Sequence, residues 1–180
     1  MMKYFDFEIC GVKRKLPYVK IADDKALASF VVISDTELVQ AVAPELVKRL
    51  PEVDYLMTAE AKGIPLVHEL CRLRGLPYYI VARKSVKPYM SQPLTDEVVS
   101  ITTQKAQTLC LDGKDALAVK GRRVAIVDDV ISTGESLSAI ERLLEKAGAE
   151  IVAKAAILAE GEAAGRGDII FLEELPLFPL

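Results

Sequence analysis

The chain has 180 residues, 51% hydrophobic and 27% charged, with a net charge of −3, which bounds it to one domain with a substantial core. That charge argues against non-specific nucleic-acid binding, and no apolar run reaches membrane-spanning length. The opening Met-Met-Lys-Tyr-Phe-Asp-Phe-Glu lacks a signal-peptide core, and Cys10, Cys71 and Cys110 show no ligand spacing, so they read as reduced thiols of a cytoplasmic protein.

Residues 1–33 are mixed. Lys13-Arg14-Lys15 suits a solvated hairpin face, and Phe30 to Ile33 a strand or an extended approach to the first helix. Ser34-Asp35-Thr36-Glu37 has capping-box spacing. Leu38, Val39, Val42, Leu46, Val47 and Leu50 then keep a helical period, which Pro44 is expected to kink or break.

Asp54 to Ala59 reads as the first strand of the main sheet. Glu60-Ala61-Lys62-Gly63 follows as a glycine turn, and Pro65 suits the first turn of a helix ending at Gly75. A strand end, a turn with a lysine and a helix start can hold an anion, although a plain turn with an exposed lysine has the same sequence. His68 lies inside the helix without a partner in sequence. Leu76 to Ala82 reads as a strand, after which Arg83, Lys84 and Lys87 suit a polyphosphate or simply a solvated basic loop.

Periodicity breaks over residues 85–108, with Pro88, Pro93, Ser91, Gln92, Thr95 and Asp96. Val98 to Thr103 is strand-like and Thr108 to Leu111 reads as a returning strand. An extension this long between core strands is usually functional or mobile.

Residues 124–136, Val-Ala-Ile-Val-Asp-Asp-Val-Ile-Ser-Thr-Gly-Glu-Ser, are the most informative stretch. Val124 to Val127 suits a strand buried on both faces and ends in Asp128 and Asp129. Ser132, Thr133, Gly134, Glu135 and Ser136 open a helix with Leu137, Ile140, Leu143 and Leu144 on one face. Its unpaired N–H groups, hydroxyls and a glycine make a phosphate cradle. Two carboxylates beside a phosphate would repel it unless they take ribose hydroxyls or a metal carried by the ligand. Gly148 reads as the helix cap, Ile151 to Leu158 as the next core strand and Ile169 to Leu172 as a last short one.

Residues 124–136 resemble the phosphoribosyl-pyrophosphate (PRPP) signature of the type I phosphoribosyltransferases: an apolar strand, two acids, an apolar pair, a small residue, Thr-Gly, then a small or acidic residue and Ser or Thr. A response-regulator acidic pocket also places Asp-Asp after a strand, but only 51 residues follow Asp129 and leave too little sheet for it. The resemblance runs from about residue 50 onward. It implies an α/β fold in which a central parallel sheet is flanked by helices, with a small hood from about 1–33 and 165–180 and a flexible loop at about 85–108, all in a single domain over 1–180.

By the same resemblance, Asp128 and Asp129 hold the ribose 2′ and 3′ hydroxyls and Ser132 to Ser136 the 5′-phosphate. Ala61, Lys62 and Gly63 hold the pyrophosphate, in a loop that often contains a non-proline cis peptide. Arg83 and Lys84 stand where adenine and xanthine members place Arg-Lys, and Lys87 joins them. Mg²⁺ travels with the pyrophosphate and needs no direct metal ligand from the chain.

The implied reaction joins a purine base to PRPP, with adenine first and xanthine or guanine second; a homodimer is expected. Two departures stand out. Lys62 replaces the usual arginine of adenine members, and Thr102 and Thr103 lie near the place of their loop glutamate. A threonine hydroxyl cannot serve as a general base near neutral pH. A PRPP-sensing regulator of the same fold is the competing class, and it would add an N-terminal DNA-binding domain for which the first 50 residues offer no basic recognition helix.

Overall fold

The computed structural model describes residues 4–22, 25–99 and 106–179. Its centre is a five-stranded sheet, and every neighbouring pair in it is parallel. The order is β10 (Glu173–Leu175), β9 (Glu150–Glu160), β8 (Arg123–Ile131), β4 (Tyr55–Ala59) and β5 (Ile80–Ala82). Alternation along β8 sends Ala125 and Val127 to one face, into a core with α1 (Thr36–Arg49) and α2 (Ile64–Arg74). Val124 and Ile126 go to the other, with α3 (Gly113–Val119) and α4 (Glu135–Ala147). Burial on both sides explains why β8 reads as an unbroken apolar run. The central parallel sheet flanked by helices that the signature implies is therefore present.

A second sheet, antiparallel and four-stranded, joins β1 (Tyr4–Ile9), β2 (Val12–Ala22), β3 (Lys25–Ala28) and β11 (Leu177–Pro179). Both ends of the described chain thus meet in one layer. Phe178 of β11 lies 5.1 Å from Phe5 and 4.8 Å from Tyr18, ring centre to ring centre. Arg14 bonds Asp35 and Glu37 and ties this layer to the start of α1, so the basic cluster is partly an anchor. A two-stranded hairpin, β6 (Leu94–Val99) and β7 (Ala106–Leu111), lies against α4. Asp96 accepts from Arg142 Nε at 2.8 Å and from Lys146 Nζ at 2.8 Å. No helix among the described residues is long and apolar enough to cross a membrane, and Cys10, Cys71 and Cys110 are free thiols.

Several local expectations are corrected. α1 runs through Pro44, because Val42, Ala43 and Leu46 are buried around it and their burial offsets a proline penalty of about 3 kcal/mol. Asp35, rather than Ser34, caps α1, accepting from Leu38 N at 3.1 Å. β5 shortens to Ile80–Ala82, since Leu76 N closes the helix cap on Cys71 O and Pro77 has no N–H to pair. β6 starts at Leu94, four residues before Val98, and Thr102 and Thr103 lie outside the described residues. β8 continues past its acidic pair to Ile131, with Asp128 opposite Ala156 and Ile131 opposite Ala159. Residues 169–172 contribute a single bridge, Ile170 to Ala155, before β10. α3 is an addition to the elements expected from the sequence, and the Asp112 carboxylate caps it, accepting from Lys114 N at 3.4 Å.

Candidate active site at the strand ends

The carboxyl ends of β4, β5 and β8 face one cavity of ≈ 260 Å³. In an open parallel sheet this is where ligands bind. The helices that begin there differ from those elsewhere. α1 and α3 are capped by Asp35 and Asp112. α2 and α4 start at Gly63 and Gly134 with no side-chain cap; the first N–H groups of α4 remain for a ligand, whereas at α2 Ile64 N–H donates to Ala61 O at 3.2 Å and Pro65 has no N–H. Gly134 has φ 82°, a left-handed turn open to glycine. Gly63 is fixed by closeness instead: a Cβ there would overlap Thr58 Oγ1.

Ser132 to Ser136 line the cavity, as do Asp128, Asp129, Ala61, Lys62 and Lys84. Gly63, Arg83 and Lys87 do not, although sequence reasoning groups them with the rest. Gly63 stays behind the loop against Thr58. Arg83 Nη2 pairs with Glu60 Oε1 at 3.1 Å and its Nη1 donates to Tyr89 Oη at 2.7 Å. Lys87 Nζ donates to Ser85 Oγ at 2.6 Å. The Glu60–Ala61 peptide is cis, as the resemblance implies for this loop.

Glu60 is the lining residue that sequence reasoning passed over. Its carboxylate accepts from Lys84 N at 2.9 Å and meets Arg83, tying the Lys62 loop to the basic strand end. Those two interactions, the Lys84 hydrogen bond first, hold its carboxyl below the usual range. Its signal was a carboxylate directly before the Ala61-Lys62-Gly63 turn.

The acidic pair carries the sharpest electrostatics. Asp129 is 1% exposed; its Oδ1 accepts from Val130 N at 3.0 Å, and its Oδ2 lies 3.2 Å from Lys62 Nζ but accepts no aligned hydrogen bond. Asp128 Oδ1 accepts from Asp129 N at 2.8 Å. Burial pushes the Asp128 carboxyl up, and the neighbouring Asp129 charge pushes it further, to about 7. A buried carboxylate oxygen held by an ion pair but by no aligned hydrogen bond can still take an incoming hydroxyl. Among the described residues there is no cluster of three His, Cys, Asp or Glu that could hold a metal.

A family model for the phosphoribosyl transferase domain matches residues 38–173, from α1 to the start of β10. The chain belongs to this family. This family member is 38% identical over 134 residues to a protein named hypoxanthine/guanine phosphoribosyltransferase from Methanotorris igneus, covering 73% of this chain and 69% of that one. A Methanococcus vannielii protein of the same name is 32% identical over 156 residues, covering 86% and 79%. Among solved structures, an adenine phosphoribosyltransferase from Thermoanaerobacter pseudethanolicus superposes with a TM-score of 0.68 at 26% identity, over 80% of this chain and 84% of that one. The adenine phosphoribosyltransferase of Rhodothermus marinus, at 23% identity and TM-score 0.67, shares the fold.

Proposed function

We propose that this chain transfers the 5-phosphoribosyl group of PRPP to a purine, giving the purine nucleotide and pyrophosphate. The bond from ribose C1′ to the pyrophosphate oxygen breaks, the bond from C1′ to purine N9 forms, and the ring proton leaves. One observation carries the reading. The uncapped glycine start of α4 adjoins an acidic pair in which Asp129 is buried, with Lys62 and Lys84 lining the same cavity, so phosphate acceptors are offered N–H groups and cations around a site that takes hydroxyl donors.

Ser132 to Ser136 hold the 5′-phosphate in this reading. Asp128 and Asp129 take the ribose 2′ and 3′ hydroxyls, and Asp129 Oδ2 gains an aligned hydrogen bond beside its ion pair with Lys62. Ala61, Lys62 and Lys84 bind the pyrophosphate, while Glu60 keeps Arg83 and Lys84 in place. Mg²⁺ bound to the pyrophosphate would neutralise its charge as it leaves. The second sheet serves as the hood over the base and the β6–β7 hairpin as the loop that excludes water from the cation-like transition state. A homodimer and a cytoplasmic site of action belong to the same proposal.

Adenine is the base that the resemblance puts first, with xanthine or guanine second. The sequence relatives named above carry hypoxanthine and guanine in their names, which supports moving the 6-oxopurines ahead of it. The test is a panel: purified protein, PRPP with Mg²⁺, and hypoxanthine, guanine, xanthine or adenine in turn. The reading expects nucleotide from hypoxanthine or guanine at higher kcat/KM than from adenine; a preference for adenine reverses the order of bases, and no product from any purine removes the enzyme reading.

A further inference from the structure

Gly134, at the left-handed start of α4, has a neighbour from far along the chain. A Cβ on it would lie 2.9 Å from Arg166 Nη1. Arg166 follows the short 3-10 turn Gly161–Gly165 after β9, and its N–H donates to Ala163 O at 3.1 Å. The guanidinium is clamped. Its Nε and Nη2 donate to the two Asp168 oxygens at 2.9 and 2.7 Å. Asp168 is held in turn by Lys154 Nζ at 2.8 Å, and Lys154 Nζ lies 2.6 Å from Glu141 Oε1 on α4. Two guanidinium nitrogens are thus committed. Nη1 has no hydrogen-bond partner among the described residues, and it is the one that meets Gly134.

We propose that Arg166 is a positioning residue of the 5′-phosphate cradle, acting through Gly134. Arg166 does not line the cavity, so it stands behind the loop. Clamped by Asp168, it backs the turn that aims the first N–H groups of α4 at the anion. It also keeps the nearest member of a two-cation, two-carboxylate chain on the phosphate side, where a positive charge favours a dianion. A guanidinium suits this place because its rigid fork can fill a carboxylate and still present a third nitrogen; an ammonium cannot do both in fixed geometry. This inference rests on the PRPP reading and adds a residue outside the signature.

The test is calorimetry on the full chain with ribose 5-phosphate and, separately, with magnesium pyrophosphate, which occupies the Lys62 side. Arg166→Gln should weaken ribose 5-phosphate about tenfold and raise the KM for PRPP in step. Pyrophosphate affinity and the KM for the base should stay unchanged. Arg166→Lys should recover part of the loss, and Asp168→Asn, which frees the fork, should show a smaller loss of the same kind. Equal weakening of both ligands, or of neither, overturns the proposal. A wild-type protein that binds neither ligand overturns the PRPP reading along with it, whereas normal wild-type binding with an unmoved Arg166→Gln overturns Arg166 alone. If Arg166→Gln does not fold, the comparison rests on Arg166→Lys, which keeps length and charge: pyrophosphate binding kept and ribose 5-phosphate weakened supports the proposal, and no difference from wild type overturns it.

Discussion

Raising the pH should destabilise the ligand-free protein through Asp128, and Asp128→Asn should remove that effect. Burial first, and the Asp129 charge second, raise the Asp128 carboxyl from 3.8 to about 7. Between those values the folded protein holds a proton that the unfolded chain has released. The stabilising contribution is therefore complete below about pH 4 and is lost as the pH rises through about 7. The whole shift corresponds to about 4 kcal/mol at 1.36 kcal/mol per unit, which is a ceiling. Asp128 is only half-buried and opens on the cavity, so screening brings the expected loss to ~1–2 kcal/mol. For a chain of this size that is roughly 2–8 °C in Tm.

The assay is thermal unfolding of wild type and Asp128→Asn at about pH 5 and about pH 8.5, without ligand. Wild type should lose those degrees relative to the variant as the pH rises. Ribose 5-phosphate should shrink the difference, because hydroxyl donors favour the charged carboxylate. Parallel pH curves for the two proteins would refute the reasoning.

Gly63→Ala should cost ~1–3 kcal/mol by overpacking against the fully buried Thr58, read by denaturant unfolding, and should weaken pyrophosphate by displacing Lys62. Asp96→Ala should remove the tether between the hairpin and α4. We expect a stability loss of about 1 kcal/mol, since its two cations are half exposed, with faster amide exchange in β6 and β7 and unchanged exchange in α4.

What was legible in the sequence was local. Asp128 to Ser136 could be read because a buried strand, a glycine start and an amphipathic helix each leave their mark within a few residues. The Lys62 loop was legible for the same reason, through Gly63 and Pro65. Glu60, Arg166 and the Asp96 tether were not, because their meaning lies in partners 24, 32 and 46 residues away, Lys84, Gly134 and Arg142. Arg83 and Lys87 show the converse case. Their charge and position after a strand suggested the cavity, yet each spends its side chain on a nearer partner, Glu60 and Ser85. Pro44 misled in a third way: its local cost is real, but the core around Val42 and Leu46 outweighs it.

The most direct measurement is the yield of nucleotide and pyrophosphate from PRPP, Mg²⁺ and the preferred purine, for wild type and the Asp128→Asn, Asp129→Asn double variant. The account predicts one pyrophosphate per nucleotide from wild type and loss of turnover in the double variant with its fold intact. Tight PRPP binding by wild type without product from any purine, or unchanged turnover in the double variant, would contradict it.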